Sequence, residues 1–193
     1  MKILALEPYY GPSHKSFLDG WISHSSHDWT LLTLPPFKWK WRMRHSAITF
    51  ADKVRDMINH RCKWDLLFCS DMLNLAEFLG LVGEGICQLP KVAYFHENQL
   101  TYPNRFEHER DYQYVLTNTT TALAADAVWF NSQFHRNSFL DALERFFKKM
   151  PDFQPLDAVS AIRSKSSVHY PGIADDIFPS AKRKPGPLRV LWA

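Results

Sequence analysis

The stretch Lys91–Arg105, KVAYFHENQLTYPNR, is the part of the sequence that decides the fold. It begins with a short apolar run, Val92–Phe95, which has the length of a buried strand. The hydrogen-bonding side chains that follow at once are His96, Glu97, Asn98 and Gln99. Ligands of an open parallel sheet bind in the crevice beyond the carboxyl ends of its strands. The stretch therefore indicates either a polar ligand site at a strand end or a polar loop that caps a buried strand.

Apolar runs of strand length alternate with helical patterns on both sides of this stretch, which is typical of βαβ units and a parallel sheet. The predicted strands are Lys2–Leu6, Trp29–Leu34, Asp65–Cys69, Lys91–Phe95, Ala127–Phe130 and Ser167–Tyr170. The predicted helices are Ser16–His24, Ile48–His60, Leu73–Leu81, Tyr112–Ala125 and Phe134–Phe147. We therefore predict a doubly wound α/β fold.

The composition sets wide limits on function. The 193 residues fit one large domain, or one domain and a fragment of a second, and a hydrophobic content of 46% allows a substantial core. The sequence holds no run of about 18 or more apolar residues, so we predict no transmembrane helix. Three cysteines without CxxC spacing fit a reducing cytosol. A net charge of +3 permits a polyanionic partner without requiring one.

The last residues have the composition of a domain boundary. Residues 180–187, SAKRKPGP, are basic and rich in proline and glycine, as linkers often are. A new apolar run, Leu188–Trp192, follows. We expect one domain over residues 1–179, a linker over 180–187 and the first strand of a truncated second domain over 188–193.

Two loops near the N-terminus carry candidate binding groups. After the first strand, Gly11 allows a close approach of the backbone to a ligand, and Ser13 can cap a helix whose first amides attract phosphate. An ordinary helix cap would explain the same residues. Further on, the basic segment, Phe37–Arg44, reads FKWKWRMR and places four cations among three aromatic residues. It can neutralise phosphates and stack on bases, form an amphipathic strand, or touch a membrane surface.

Other polar residues have both functional and structural interpretations. His96 can bind a substrate hydroxyl, act as a general base, or be a satisfied structural histidine. Tyr102 and Arg105 offer an aromatic face and a guanidinium to a sugar, base or phosphate, or form a surface turn. Asn131 and Ser132 follow the fifth predicted strand and can cap the next helix. The nine histidines lack HExxH spacing, so we predict no metal site.

Four blocks of sequence together carry a family resemblance. They are EPYYGPSHKSFLDGW from Glu7, TLPPFKWKWRMR from Thr33, FHENQLTYP from Phe95 and FNSQFHRNSFL from Phe130. These blocks closely resemble the N-terminal domain of the tRNA-queuosine α-mannosyltransferase family, within the family 4-like, GT-B glycosyltransferases. The similarity runs in order along essentially the whole chain. It implies a Rossmann-like sheet that forms the acceptor-side half of a two-domain GT-B enzyme.

The resemblance also implies a reaction. The family is understood to transfer mannose from GDP-mannose to the cyclopentene-diol of queuosine in the tRNA-Asp anticodon, with retention at the anomeric carbon. A nucleotide-sugar would then be a co-substrate held mainly by a C-terminal domain, with no resident cofactor or metal. We expect tRNA as the partner, no membrane contact, a cytoplasmic location and no activity of this half alone. A GT-B enzyme with a lipid or saccharide acceptor and a non-catalytic tRNA-binding module remain the alternatives.

Residue roles follow from the resemblance with less detail. The Gly11–His14 loop matches the GT-B loop that faces the donor diphosphate, and His96 with Glu97 matches the strand end near the transferred sugar. We take His96 and Glu97 as the catalytic candidates, without assigning Glu97 as a nucleophile. The candidate substrate-binding residues are Gly11, Ser13, His14, Asn98, Gln99, Tyr102, Arg105, Asn131 and Ser132. The candidate tRNA-binding residues are Lys38, Trp39, Lys40, Trp41, Arg42 and Arg44, with Arg105 beside them.

Overall fold

The structure, a computed structural model, describes residues 1–103 and 110–172 together with Gly186. Arg105, the predicted linker apart from Gly186, and the predicted strand over 188–193 lie outside the described residues. The roles of these segments and the boundaries of the two domains therefore stay predictions.

A single parallel sheet organises the described chain. Its six strands are β1 (Lys2–Glu7), β2 (Asp28–Thr33), β3 (Leu66–Ser70), β4 (Lys91–Phe95), β5 (Ala127–Phe130) and β6 (Ser166–Val168). Their order in the sheet is β2-β1-β3-β4-β5-β6, and every neighbouring pair is parallel. The predicted doubly wound, Rossmann-like α/β fold is confirmed. The strand order reverses between β1 and β3, and ligands of such folds bind at this switch point.

Seven helices of the described chain connect the strands. They are α1 (Pro12–Ser23), α2 (Trp39–Asn59), α3 (Leu75–Val82), α4 (Glu84–Cys87), α5 (Tyr112–Ala124), α6 (Gln133–Phe147) and α7 (Leu156–Ser164). The short α4 and the later α7 were not predicted. The apolar residues of α7 do have helical spacing, since Val159 and Ile162 are three apart and both are buried.

Side chains of both faces of the sheet are buried, because alternate residues of a strand point to opposite faces. Leu4 and Leu6 of β1 belong to the larger apolar cluster, which contains residues of α2, α3, α5, α6 and α7. Ile3 and Ala5 belong to a smaller cluster with Leu18 of α1. Burial on both faces is why the strands read as continuous apolar runs in the sequence.

The basic segment forms the first turns of α2, so the prediction that α2 begins at Ile48 and the amphipathic-strand alternative for the segment are both wrong. Trp39 packs against Tyr114 with ring centroids 5.2 Å apart, and Met43, one turn later, is buried. Trp41, by contrast, is 61% exposed. Burial at i and i+4 is helical spacing, which the alternation of charged and aromatic residues hides in the sequence. No helix in the described part of the chain is long and apolar enough to span a membrane.

Candidate active site

The carboxyl ends of neighbouring strands bring four ionisable side chains together at the switch point. Glu7 is the last residue of β1, Asp71 follows β3 and His96 follows β4, while His14 comes from the first turn of α1. We call these four residues the strand-end cluster. Parallel strands all end at one edge of the sheet, which is why residues so distant in sequence meet there.

Glu7 is the most thoroughly held member of the cluster. It is 1% exposed, and its Oε1 accepts hydrogen bonds from the Ser70 hydroxyl at 3.0 Å and from the Tyr9 amide at 2.8 Å. Its other oxygen, Oε2, lies 3.1 Å from Nδ1 of His14. Burial by itself would lower the pKa of His14, but the contact with Glu7 and the charges of Asp71 and Glu97 raise that pKa to about 8. His14 is therefore a buried cation at neutral pH.

His96 lies against His14 but carries the opposite protonation state. The two imidazoles stack with centroids 3.9 Å apart, and the ring edges of Tyr94 and Phe17 surround His96. Burial, followed by the repulsion that a proton on His96 would meet from the neighbouring His14 cation, holds the pKa of His96 well below its usual range. Its Nε2 is buried and has no hydrogen-bond partner among the described residues. The site thus holds one charged and one neutral imidazole.

Asp71 closes the cluster on the side of β3. It is fully buried, and its Oδ1 accepts a hydrogen bond of 2.9 Å from the backbone amide of His96. Its Oδ2 has no partner among the described residues. Burial and the charge of Glu97 raise the pKa of Asp71. The carboxyl therefore fixes the backbone at His96 and keeps one acceptor oxygen unused.

Asn118 of α5 joins this strand end to the loop that follows β4. Its side chain donates to the carbonyl oxygen of Asp71 at 3.0 Å and accepts from the amide of Gln99 at 2.8 Å. Asn98 braces the same loop, because its Oδ1 accepts from the amides of Leu100 and Thr101. The polar atoms of Asn98 are thus used to shape the loop, and the substrate role predicted for it stays a prediction.

A cavity of about 340 Å³ opens beside the cluster, and we call it the Trp39 cavity. Its aromatic lining is Tyr9, Trp39, Tyr102 and Tyr114, and its charged lining includes His14, Lys40, Glu97, Arg110 and Asp111. Burial raises the pKa of Glu97, although His14 and Gln99 counteract that rise. Aromatic walls combined with charges of both signs suit a flat, polar ligand.

A second hollow of about 240 Å³, the Phe134 hollow, adjoins the first. Glu97 and Tyr102 line both spaces. His96, Asn131 and Ser132 line the second one. The predicted cap is confirmed, because the Ser132 hydroxyl accepts from the amide of His135 at 3.1 Å. Asn131 in turn donates to the carbonyl oxygen of His96 at 2.8 Å.

The loop after β1 differs from its prediction in one respect. Gly11, and not Ser13, is the N-cap residue of α1, and Pro12 occupies the first turn. Ser13 is exposed and lines the Trp39 cavity. A Cβ on Gly11 would lie 3.0 Å from the Cβ of Pro36, so any other residue there would push the two loops apart by a few tenths of an ångström. The proline takes the helical position that needs no amide donor, which leaves Ser13 free of the capping role.

The cations of the basic segment divide into two pairs. Arg42 donates to the carbonyl of Pro35 at 3.0 Å, and the Arg44 guanidinium lies 4.7 Å from the centre of the Tyr114 ring and 3.5 Å from Asp111. Lys38 and Lys40 are exposed and lie over the rings of Phe37 and Trp39. The two lysines are therefore the cations of this segment that remain available to an external phosphate.

Four members of the site lay outside the sequence prediction: Glu7, Asp71, Asn118 and His135. Asp71 could have been found, because it follows a predicted strand in the same way as His96 does. Asn118 and His135 lie inside helices, where only the tertiary contacts distinguish a buried polar residue from a solvated one. His135 Nε2 lies 2.9 Å from the Asn98 amide nitrogen, and burial lowers the pKa of His135 to about 4.

Glu7, His14 and His96 also offer three atoms of metal-ligand type within 4.8 Å of one another. A zinc–nitrogen bond is about 2 Å long. The two imidazole planes are stacked at 3.9 Å and inclined by 26°, so they do not meet at that distance and one ion cannot lie in both planes. This geometry favours a cluster in which the carboxylate and the imidazoles share protons over one that coordinates a metal ion.

Comparisons with known proteins agree with this architecture. Residues 2–173 match the protein family described as tRNA-queuosine alpha-mannosyltransferase N-terminal. The chain is also 41% identical over 181 residues to a Drosophila melanogaster protein named tRNA-queuosine alpha-mannosyltransferase. That match covers 93% of this chain and 47% of the relative, so the chain spans about half the length of the fly protein.

Proposed function

Because the chain belongs to the tRNA-queuosine alpha-mannosyltransferase N-terminal family, we propose that it is the acceptor-binding half of a GT-B mannosyltransferase. The enzyme transfers mannose from GDP-mannose to a cyclopentene-diol hydroxyl of queuosine in the tRNA-Asp anticodon, with retention of configuration. A bond forms between that oxygen and the anomeric carbon, while the bond from the anomeric carbon to the diphosphate oxygen breaks and its electron pair stays on the departing GDP. The hydroxyl proton passes to a phosphate oxygen of that GDP or to water. The observation that carries the proposal is the strand-end cluster, of which His14 lines the Trp39 cavity and His96 lines the adjoining hollow, in a chain of this family.

The two histidines suit two different tasks in this reaction. His14 is cationic at neutral pH because its pKa is raised to about 8, so it can stabilise the negative charge that grows on the leaving diphosphate. His96 stays neutral because its pKa is depressed, and its unpartnered Nε2 can hydrogen-bond a sugar hydroxyl. Stacking at 3.9 Å supports the division, because a proton on one imidazole disfavours a proton on the other.

The acceptor nucleoside enters the Trp39 cavity in this proposal. Its flat base stacks on the aromatic lining, as unpaired bases do on protein aromatic rings. The secondary amine that joins the base to the cyclopentene ring is protonated at neutral pH and suits the carboxylates of Glu97 and Asp111, which line the cavity. Glu97 also suits a hydrogen bond to the diol. Ser13 and Gln99 supply further polar contacts there.

The basic segment binds the tRNA backbone near the cavity. Lys38 and Lys40 neutralise phosphates, and the exposed faces of Phe37 and Trp41 are available to stack on bases. The first turn of α2 contains no acidic residue and no capping side chain, so its unpaired amides add to the attraction for anions. Arg42 and Arg44 hold this end of α2 in place through their contacts with Pro35, Tyr114 and Asp111.

The donor is held mainly by a second domain, which corresponds to the half of the fly relative that this chain does not cover. We propose GDP-mannose or another nucleotide-sugar as co-substrate, with no resident cofactor, and a cytoplasmic location. The 193 residues alone then bind the acceptor without transferring sugar.

A transfer assay tests the proposal. The complete protein that carries this chain is incubated with GDP-mannose and with tRNA that contains either queuosine or guanosine at the same position. The tRNA is digested and its nucleosides are weighed by mass spectrometry. A hexose gained on queuosine alone is the expected result. Bound tRNA without any hexose would point to a non-catalytic tRNA-binding module, and hexose transfer to a lipid or saccharide would point to another acceptor.

A further inference from the structure

Phe134 is a large apolar side chain that the fold leaves in solvent. It is 82% exposed at the start of α6, whereas Phe139 and Phe147 of the same helix are buried in the core. The packing face of α6 therefore does not include Phe134. Phe134 is also one of the residues that line the Phe134 hollow, so its exposed ring is part of the wall of that space.

The hollow beside Phe134 has a lining that suits a neutral, hydrogen-bonding ligand. Asn98, Asn131 and Ser132 line it with amide and hydroxyl groups that also hydrogen-bond within the protein, and Thr101 and Ser138 add two further hydroxyls. No Lys or Arg is among the described residues that line it, and Glu97 gives it an acidic edge. Burial lowers the pKa of His135 to about 4, so this lining residue is neutral at physiological pH. The described lining offers a phosphate group no cationic side chain at neutral pH, whereas it offers a nucleobase hydrogen-bonding partners and an aromatic face.

The position of the hollow indicates which nucleotide of an RNA acceptor would place its base there. Glu97 and Tyr102 form a wall shared with the Trp39 cavity, in which the acceptor nucleoside is proposed to lie. Two adjoining hollows suit two consecutive nucleotides of a single-stranded loop whose bases are splayed apart.

We propose that Phe134 is a stacking platform for the unpaired nucleobase next to the acceptor nucleotide, with the Phe134 hollow as the subsite for that base. This subsite rests on the proposed function, since it requires an RNA loop as acceptor. Stacking on an aromatic side chain tolerates any base, and the amides of the hollow supply a modest preference. The subsite extends recognition beyond the modified nucleoside to its neighbour in the anticodon loop.

The test compares Phe134→Ala with a matched variant, Phe153→Ala, in the complete protein. Phe153 is 95% exposed, lies between α6 and α7, and is not among the residues lining the hollow. Affinity is measured for a labelled anticodon stem-loop that contains queuosine. Loss of one stacked base by alanine substitution is expected to weaken binding by ~10-fold, whereas Phe153→Ala is expected to stay within twofold of the wild type. Phe134→Tyr keeps an aromatic face and is expected to restore the affinity.

An abasic stem-loop then distinguishes stacking from an indirect effect. Removing the base on one side of queuosine is expected to weaken wild-type binding by the same factor and to leave binding by Phe134→Ala unchanged. The inference is overturned if Phe134→Ala binds the stem-loop as tightly as Phe153→Ala does. It is also overturned if Phe134→Ala weakens the binding of every abasic stem-loop further, because Phe134 would then contact none of the removed bases. The inference is overturned as well if Phe134→Ala weakens the binding of free queuosine nucleoside by the same factor as the binding of the stem-loop. Phe134 would then act through a contact within the protein. If the wild type binds no stem-loop at all, the tRNA part of the proposed function fails as well.

Discussion

The strand-end cluster and the basic segment both concentrate charge, yet the fold treats them in opposite ways. Glu7 and Asp71 are 1% and 0% exposed. Within the cluster the pKa of His14 is raised and the pKa of His96 is lowered. Lys38 and Lys40 are exposed, and water screens their charge. Buried charges interact strongly because little water screens them, so they can perform chemistry. Exposed charges act at longer range and steer a polyanion toward the site.

Replacing His14 of the strand-end cluster by alanine is expected to reduce activity more than any other substitution in the two regions. It removes the cation that is proposed to face the diphosphate and leaves Glu7 without its partner. We expect kcat/KM for mannosyl transfer by the complete protein to fall on the order of 100-fold or more. His27→Ala, at an exposed histidine, is the matched control. Equal activity of the two variants would rule out a catalytic role for His14.

Asn118→Ala tests how much the hydrogen bonds beside the strand-end cluster contribute to stability. The substitution leaves the amide of Gln99 and the carbonyl of Asp71 without their buried partner. We expect the free energy of unfolding to fall by about 2–3 kcal/mol in urea titrations. Asn137→Ala replaces an exposed asparagine of α6 and is expected to change it by less than about 0.5 kcal/mol. If both variants unfold alike, the link through Asn118 is not part of the stabilising framework.

The stability of the chain should depend on pH through the same cluster. The folded pKa of His14 is about 8 against an ordinary value of 6.5, so its contribution is fully present below pH 6.5 and disappears as the pH rises through 8. The raised pKa of Asp71 acts in the same direction over a wider range, because its contribution is lost from its ordinary pKa of 3.8 up to about 8. We expect a loss of up to ~2 kcal/mol between pH 6.5 and 9 in urea titrations, and a smaller loss for His14→Gln.

His135 makes the opposite prediction on the acid side. Its folded pKa of about 4 lies below the ordinary 6.5, so the unfolded chain binds the proton first and stability falls as the pH drops below 6.5. The depressed pKa of His96 adds to this fall. Stability should therefore be greatest near pH 6.5 to 7. A profile that rises steadily from pH 6.5 to 9 would contradict the assignment of His14 as the buried cation.

The exposed region should give the smallest effect and the strongest dependence on salt. Lys38→Glu with Lys40→Glu is expected to weaken tRNA binding ~10-fold at moderate salt, with an unchanged free energy of unfolding. Two phosphate contacts predict a salt slope of about −1.5, against about −3 if Arg42 and Arg44 also bound phosphate. Lys53→Glu with Lys149→Glu makes the same change in net charge elsewhere on the surface. A change below twofold, or the same change in both pairs, would remove the basic segment as a tRNA contact.

The sequence predicted most elements closely and failed where two periodicities competed. The predicted bounds of β4 and β5, Lys91–Phe95 and Ala127–Phe130, agree with the structure. These runs are buried on both faces, and such runs are easy to recognise. The start of α2 was missed because lysine and tryptophan alternate from Lys38 to Trp41, which resembles a strand and conceals the helical spacing of Trp39 and Met43.

By itself the sequence determined the order of the elements, the parallel sheet and the polar residue His96 at the end of a strand. Those features depend on local patterns of apolar residues and on where they stop. Only the tertiary structure decided that Glu7, His14, Asp71 and His96 meet, because the sheet order places β1, β3 and β4 side by side. It also decided which imidazole carries the proton. That choice depends on burial and on the distances between charges, which no local pattern of residues contains.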